Sequence, residues 1–249
     1  MNTLSTVLQQ NSWEDIAKAA AKGEAKNWWN VGDTKTAVVN GESLLMTIMG
    51  FDHYTLATSD AKYNDTTYNN GTKKAGITFM ATTIPKSSRD IISEGATKYH
   101  YGYGEIKTYL EGTLVNKFPF SSSLMRLVNI SYYGSSYAAS STDRSSDYKV
   151  FTSDSQLFVP GYCELGGDGI NITGQTEFAY ITAGNIPNWK LSTGSSTDLS
   201  IQLRDVCYGS TDYPWCQCIY DYYTDYKEAT LLSSKYAGVY GPYSFIFNL

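Results

Sequence analysis

The sequence lacks any apolar run that is long enough to cross a membrane as a helix. Such a helix needs roughly 18 apolar residues, and no stretch approaches that length. Residues 1–8 also lack the basic and apolar segments that begin a secretory signal. We therefore expect the chain to be made and assembled in a cytoplasm, and we expect free thiols rather than two disulfides at Cys163, Cys207, Cys216 and Cys218.

Charge is also scarce, above all positive charge. The chain has 19 Lys and Arg residues against 24 Asp and Glu residues, and its formal net charge is −5. A nucleic-acid partner requires a basic face, so none is expected. The charged fraction is 17% and the hydrophobic fraction is 42%, which is typical of a globular chain rather than a disordered one. A chain of 249 residues can bury a substantial core.

The common catalytic motifs are missing as well. The sequence contains no G-x-S-x-G, no H-E-x-x-H and no phosphate-binding loop. Only two histidines occur, His53 and His100. A catalytic histidine needs an oriented partner and a nucleophile within reach, so we interpret His53 as structural. Loop carboxylates are plentiful, but the sequence does not show the fixed separation that a glycosidase requires.

Metal-ligating patterns are equally weak. A zinc site usually needs four Cys or His ligands at set spacings, and Cys216-Gln217-Cys218 stands without them. Cysteines two apart on a strand share a face, so a disulfide between them would be strained. Residues 166–169, Gly-Gly-Asp-Gly, lack the full pattern of a calcium loop and favour a plain turn. We therefore expect a protein without cofactor, metal or enzymatic activity.

Tyrosine, by contrast, is abundant: there are 22 Tyr residues against 9 Phe and 5 Trp. A buried Tyr hydroxyl needs a hydrogen-bonding partner, so the excess indicates half-exposed aromatic surface, as in paratopes and carbohydrate sites. The tyrosines concentrate in residues 207–243, with Ser, Asp and Gln between them. The predicted ligand-binding residues are Tyr208, Ser210, Asp212, Tyr213, Trp215, Gln217, Tyr220, Tyr222, Tyr223, Tyr226, Tyr236 and Tyr240.

The N-terminal half predicts two helices and a hairpin. Residues 12–23 are typical of a short amphipathic helix with Ser12 as its N-cap. Asn40-Gly41 lies between two apolar runs, which predicts a hairpin with the returning strand at 44–51. The polar residues 52–76 indicate a long surface excursion, followed by a short strand at 77–81. A second helix is predicted at 104–117, with a continuation over 121–130.

The C-terminal half predicts short strands and loops. Residues 131–148 are rich in Ser, Tyr and Asp, which indicates a loop. Strands are predicted at 149–158, 178–182, 201–206, 215–220 and 244–248. No repeat and no linker interrupts the chain. Early helices and a β-rich C-terminal half predict a single α+β domain.

Several segments resemble a domain-of-unknown-function family that is common in bacteriophage tail proteins and in proteins of gut bacteria. The family usually shows W-x-V-G-D-x-K, a hairpin and I-x-G-F-x-H; this chain has WWNVGDTK at 28–35 and IMGFDH at 48–53. Later pieces follow in the same order, with FAYITAGN at 178–185, LRD at 203–205 and GVYGPYSF at 238–245. The resemblance covers the chain from about residue 12 to its end.

The resemblance implies a C-type-lectin-like fold, similar to that of formylglycine-generating enzymes and of variable proteins diversified by retroelements. It makes residues 1–11 an N-terminal extension, residues 12–249 the lectin-like domain, and residues 207–243 the part that carries the ligand-binding surface. The residue types in that part are compatible with retroelement diversification. One departure is evident: the family usually has Trp-Trp-Leu-Arg-Ser where this chain has Ile201-Gln202-Leu203-Arg204-Asp205.

The expected function is that of a phage virion protein, displayed on the tail or another exterior site and assembled in the cytoplasm of the bacterial host. It would bind a host-surface glycan or protein directly, through the Tyr-rich surface. Other virion proteins are expected partners, and a homo-oligomer is expected because several weak sites together gain avidity. Two alternatives stay open: a structural virion component whose Tyr-rich end packs against neighbouring subunits, or an enzyme that is either glycan-cleaving or a cysteine-dependent oxidase.

Overall fold

A computed structural model describes most of the chain. The described residues are 4–86, 100–135, 148–167, 171–185, 187, 189–191, 199–207, 216–222, 227–228 and 242–249. Within them the protein is α+β, with α-helices and mainly antiparallel sheets. One cluster of buried side chains runs from Leu8 to Leu249. No helix in these ranges is long and apolar enough to cross a membrane.

The first predicted helix is confirmed. Helix α1 spans Trp13–Ala21, and the backbone N–H of Asp15 donates to Ser12 Oγ at 3.0 Å, which is the predicted N-cap. A short helix α2 follows at Ala25–Trp28. The residues before α1, predicted as an extension, lie against the rest of the chain: Leu8 is buried in the core. The boundary at residue 12 itself stays a prediction.

The predicted hairpin is also confirmed. Strand β1 spans Thr34–Val39 and strand β2 spans Glu42–Gly50. The two residues between them, Asn40 and Gly41, both have left-handed backbones with φ of 51° and 80°. A two-residue loop of this kind matches the twist of the flanking strands, so the Asn-Gly pair sets the register.

The hairpin belongs to a five-stranded antiparallel sheet that also contains the end of the chain. The strand order is β1-β2-β3-β12-β7, where β3 is Thr78–Ala81, β7 is Leu157–Phe158 and β12 is Ile246–Asn248. The strands predicted at 77–81 and 244–248 are confirmed. Phe247 of β12 stacks on Phe79 of β3, with ring centroids 5.2 Å apart. This aromatic contact stabilises the position of the C-terminal strand inside the sheet.

The second helix is confirmed, but its predicted continuation is wrong. Helix α3 spans Glu105–Gly112 and a 3-10 turn follows at Leu114–Lys117. Strand β5 then spans Val128–Ser135, where a helix and then a loop were predicted. The apolar spacing at 124–128 fits a helix locally, but pairing with strand β6, Tyr148–Ser155, decides the outcome. The remainder of the predicted loop, residues 136–147, lies outside the described residues.

The C-terminal half contains one further correction. Strands β6 and β7 confirm the strand predicted at 149–158. Residues Ala179–Thr182 form a short helix, α4, and not the predicted strand. The carbonyl of the buried Phe178 accepts from the N–H groups of Ile181 and Thr182, and this contact closes the helical turn.

The remaining strands form two smaller sheets. Strands β4, Thr83–Ile84, and β8, Lys190–Leu191, pair in parallel. Strands β9, Leu199–Cys207, β10, Cys216–Tyr222, and β11, Lys227–Glu228, form an antiparallel sheet in the order β11-β10-β9. The predictions at 201–206 and 215–220 are thereby confirmed. This sheet carries the beginning of the Tyr-rich segment.

Candidate functional site

Three of the predicted ligand-binding residues have a described position in the backbone. Gln217, Tyr220 and Tyr222 belong to strand β10, where Tyr220 is the register partner of Ile201 on β9. The ladder is irregular between Gln217 and Ile219. The other predicted residues lie outside the described residues, and their role stays a prediction: Tyr208, Ser210, Asp212, Tyr213, Trp215, Tyr223, Tyr226, Tyr236 and Tyr240.

The C-terminal end of the Tyr-rich segment lies against strand β9, which leads into the segment. The backbone N–H of Gln202, on β9, donates to the carbonyl of Pro242 at 3.0 Å, and Gln202 and Tyr243 form a parallel β-bridge. Both of these bridging residues are buried. Strand β12 of the large sheet begins only a few residues later, at Ile246. The segment 207–243, here called the insertion, therefore returns at its C-terminal end to the strand that leads into it.

A buried ion pair fixes strand β9 where the insertion begins. Arg204 and Glu164 are both 0% exposed. The Arg204 guanidinium donates from Nη1 to Glu164 Oε2 at 2.7 Å and from Nη2 to Oε1, a bidentate contact. It also donates from Nε to the carbonyl of Ser131 at 2.7 Å and from Nη1 to that of Val159 at 3.0 Å. The pair thus ties β9 to β5 and to the chain after β7.

Both members of the pair are held in the charged state. Burial alone would raise the pKa of Glu164, but the charge and hydrogen bonds of Arg204 outweigh it and lower that pKa. Burial alone would lower the pKa of Arg204, and the carboxylate of Glu164 raises it instead. A buried charge is tolerated only when it is paired and hydrogen-bonded, and here each group supplies the other's partner.

Asp205, the neighbour of Arg204, is a second buried carboxyl group. Its Oδ1 accepts from the N–H of Tyr133 at 2.8 Å and its Oδ2 from the N–H of Tyr162 at 2.7 Å. Gln175 Nε2 donates to both oxygens at 2.9 and 3.0 Å. Burial raises the pKa of Asp205, and the charge of Arg204 and these hydrogen bonds offset the rise only in part.

The sequence shows that residues 201–205 differ from the family's usual pattern, but it did not predict this network of buried contacts. Ile201 and Gln202, which stand where the family usually has two tryptophans, are 0% and 4% exposed and belong to the interior. Arg204 and Asp205 organise the polar contacts around them. The available signal was the Arg204-Asp205 pair between the apolar residues Leu203 and Val206, because charged residues are seldom fully buried unless they are paired.

A cavity of about 550 Å³ lies apart from the predicted residues. It forms between the segment that follows β2 and the β5–β6 hairpin. The side chains and backbone around it are those of His53, Tyr54, Thr55, Leu56, Ala57, Thr58, Tyr63, Lys74, Asn129, Ser131, Asp154, Gly174 and Thr176. Residues 52–76 were predicted as a surface excursion, but Tyr54, Leu56 and Tyr68 are buried in the core, so that prediction is wrong for these three residues. Residues 54–56 form the inner wall of the cavity.

The inner wall of the cavity is held by backbone hydrogen bonds on both sides. The N–H of Leu56 donates to the carbonyl of Lys73 at 2.9 Å. On the opposite side, the N–H of Asn129 on β5 donates to the carbonyl of Thr55 at 3.0 Å. The wall therefore resembles a strand between two neighbours, and its position does not depend on a ligand.

The rim of the cavity carries one carboxylate and one ammonium group. Asp154 Oδ1 accepts from Asn129 Nδ2 at 3.0 Å, and Asp154 Oδ2 accepts from Ser59 Oγ at 2.9 Å. Asn129 and Asp154 are exposed and Lys74 is half-buried. The half-buried ring of Tyr63 adds an aromatic surface. The rim thus offers hydrogen-bond donors and acceptors without a net charge of its own.

His53 lies at the cavity but is packed as an aromatic side chain. Its ring centroid is 4.6 Å from that of Tyr54 and 4.6 Å from that of Phe178. Burial lowers the pKa of His53, with Arg204 and Lys74 acting in the same direction and Glu164 opposing them. The imidazole is therefore neutral at physiological pH. Among the described residues, no group of three or more His, Cys, Asp and Glu side chains is placed to hold a metal ion.

The cysteines and the glycine-rich turn have separate positions. Cys163 is half-buried, and burial raises the pKa of its thiol. Cys207 on β9 and Cys216 on β10 are register partners, a pairing different from the Cys216–Cys218 pair considered from the sequence. Gly166 ends a 3-10 turn with a left-handed backbone (φ 86°), as a turn requires, and Asp168 and Gly169 lie outside the described residues.

No family model matches the chain, and neither a curated protein nor a solved structure is significantly similar to it.

Proposed function

We propose that the chain is a virion protein with a C-type-lectin-like scaffold that binds a host-surface receptor through the Tyr-rich segment 207–243. The observation that carries the proposal is the return of this segment to strand β9, where the N–H of Gln202, before the segment, donates to the carbonyl of Pro242 at the segment's end. A segment that leaves one strand of the core and returns to the same strand can change in sequence without disturbing the core. This is the arrangement that a recognition surface on a fixed scaffold requires.

The large sheet supports the lectin-like part of the proposal. The hairpin of β1 and β2, near the start of the chain, and strand β12, at its end, belong to the same sheet. The sequence between them supplies the smaller sheets and the insertion. In such a scaffold the first and last strands of the domain lie in one sheet, and the segments between them are available to carry a ligand-binding surface.

The composition of the insertion supports binding rather than chemistry. Tyrosine offers a large contact area with only two rotatable side-chain angles, and its hydroxyl adds a hydrogen bond. A glycan would stack on Trp215 and neighbouring tyrosines, and a protein would use the same residues as anchors. Copies in a homo-oligomer would combine weak sites into a strong attachment.

Competition for host cells tests the proposal. Purified wild-type chain, added before the phage, is expected to reduce adsorption, and the Tyr220→Ala, Tyr223→Ala double variant is expected to lose this effect. The control is Tyr103→Ala, because Tyr103 is 57% exposed and lies outside the segment. Equal competition by the double variant and the wild type would count against the proposed surface.

Labelling of the intact particle separates this proposal from a structural role. A receptor-binding surface leaves Trp215, Tyr220 and Tyr223 open to solvent, so a water-soluble reagent that modifies tyrosine and tryptophan is expected to label them in the assembled virion. Protection of all three in the particle, with labelling in the isolated chain, would instead support packing against neighbouring subunits.

A further inference from the structure

We propose that the cavity between residues 53–58 and the β5–β6 hairpin is a second ligand site, which takes a single neutral sugar residue. None of its lining residues belongs to the segment 207–243. The inference therefore goes beyond the receptor-binding proposal and stands on different residues.

The cavity has the size and rigidity of a small-molecule site. Its volume of about 550 Å³ lies within the roughly 300–1,000 Å³ of typical ligand pockets. The inner wall is already ordered, because the N–H of Leu56 and the carbonyl of Thr55 are hydrogen-bonded to neighbours on opposite sides. A preformed site loses little conformational entropy when it binds, so even a small ligand can be held.

The polar groups match the hydroxyl groups of a sugar. Each oxygen of the Asp154 carboxylate accepts one hydrogen bond, from Asn129 or from Ser59, and a carboxylate oxygen can accept a second. Lys74, which pairs with Thr55 while Asn129 contacts the carbonyl of Thr55, supplies ammonium donors to the lining. A sugar hydroxyl both donates and accepts, so adjacent hydroxyls can bridge such donors and acceptors. Three threonines, whose hydroxyl groups can also donate and accept, line the cavity: Thr55, Thr58 and Thr176.

The aromatic ring and the charge balance favour a sugar over an ion. Tyr63 lines the cavity and offers its ring to the apolar C–H face of a pyranose. Lys73 Nζ lies 4.4 Å from the centroid of this ring and helps to fix it. The charged side chains of the lining itself, Lys74 and Asp154, carry opposite charges, so the lining has no surplus of either sign; the ammonium of Lys73 lies over the Tyr63 ring and is not part of the lining.

Two residues that adjoin the cavity lining in sequence, Asp52 before His53 and Lys73 before Lys74, have left-handed backbones. Asp52, Asn69, Asn70 and Lys73 have φ between 43° and 56°, and they are four of the five described non-glycine residues with positive φ. Such conformations cost of order 1–3 kcal/mol each and persist where the surroundings enforce them, often at ligand sites. Here the Asn69 side chain enforces them by donating to Asp52 Oδ1 at 2.6 Å and to the carbonyl of Lys74 at 2.9 Å.

Saturation-transfer NMR with the full chain tests the proposal. The probes are the methyl glycosides of glucose, galactose and N-acetylglucosamine, at concentrations above the millimolar Kd expected of one small site. At least one glycoside is expected to bind. Asp154→Asn is expected to weaken that binding by about tenfold or more, since a charge-assisted hydrogen bond is lost. Asp154 is exposed, so the variant should fold normally.

Two further variants make the result decisive. Thr152→Ala is the matched control, because Thr152 is exposed on the same strand and does not line the cavity; it should bind as the wild type does. The Tyr220→Ala, Tyr223→Ala variant should also bind the glycoside normally, so failure of receptor binding and failure of this site are distinguishable. Loss of glycoside binding in that variant would overturn the proposal.

The remaining outcomes overturn it too. Binding of inorganic phosphate or of free glycine without any glycoside would mean that the two charged groups, and not the hydroxyl-matching groups, define the site. Glycoside binding that survives Asp154→Asn would place the sugar elsewhere. No response to any of the three glycosides would remove the proposed ligand class.

Discussion

At the scale of single residues, the most consequential side chains are those of Arg204 and Glu164. Both are fully buried, and they contact each other through a bidentate ion pair. Removing two charges from water is costly, so such a pair adds little net stability while it is intact. Its effect is on position, because Arg204 also donates to the carbonyls of Ser131 and Val159 and thereby fixes the strand from which the insertion starts.

Replacing Glu164 with Gln is expected to destabilise the fold strongly. Arg204 would then keep a buried charge without its hydrogen-bonded counter-charge, and breaking a buried pair in this way costs about 3–5 kcal/mol. Urea denaturation gives the free energy of unfolding. The control is Glu24→Gln, since Glu24 (48% exposed) forms an exposed ion pair with Lys22 (65% exposed) at 4.0 Å, and the change there should stay below about 1 kcal/mol. Equal losses in the two variants would contradict the role given to the buried pair.

The same pair predicts sensitivity to acid. The folded pKa of Glu164 is lowered, so its stabilising contribution is complete above its unfolded pKa of about 4.3 and is lost as the pH falls through the folded pKa. Asp205 affects stability in the opposite direction. Its pKa is raised, so its ionisation costs stability, and that cost grows as the pH rises from about 3.9 through the folded pKa. The stability difference between wild type and Glu164→Gln isolates Glu164 and should shrink below about pH 4.3. A difference that is constant with pH would contradict this assignment.

Residue-scale features were predictable from the sequence where they are local. Ser12 and the N–H of Asp15 form the predicted cap, and Asn40-Gly41 forms the predicted turn, because each depends on neighbours in the chain. Glu164 and Arg204 are 40 positions apart. Nothing in the local pattern of either residue indicates the other, so the pair is visible only in the structure.

At the scale of elements, the errors of sequence reasoning have one cause. Strand β5 contains apolar residues whose spacing at its start also fits a helix, and Ala179–Thr182 contains residues typical of a strand. Pairing with β6 makes the β5 segment a strand, and the closed turn at Phe178 makes residues 179–182 a helix. Tertiary contacts override intrinsic preference in short segments, whereas the well-capped α1 was predicted correctly.

The register of β9 and β10 gives an element-scale prediction. Cys207 and Cys216 are opposite each other, at a separation that a disulfide can span in paired strands. Treatment with diamide, which accepts the two hydrogens of the thiols, is expected to join Cys207 to Cys216 within one chain. Peptide mapping by mass spectrometry under non-reducing conditions identifies the link.

Two variants control this cross-linking experiment. Cys218→Ser should leave the link intact, whereas Cys216→Ser should abolish it. A dominant Cys216–Cys218 link in the wild type, or links only between chains, would contradict the register at the base of the insertion.

At the scale of the whole molecule, one core carries both strand β9, which leads into the Tyr-rich segment, and the cavity at Asp154. The buried cluster includes residues from both chain ends, and no residue that lines the cavity belongs to the segment 207–243. The sequence predicted the α+β class and the Tyr-rich segment because composition and periodicity reveal them. The cavity could not be predicted, since Lys74, Asn129 and Asp154 come together only through the pairing of distant segments.

Adsorption of phage to its host tests the central claim most directly. The rate constant is measured for particles that carry wild-type protein, Tyr220→Ala with Tyr223→Ala, or Tyr103→Ala as the control. If the Tyr-rich insertion is the recognition surface, the double variant should adsorb at least about tenfold more slowly, as expected for loss of interface anchors, and the control should match the wild type. Unchanged adsorption of intact particles that carry the double variant would contradict the claim.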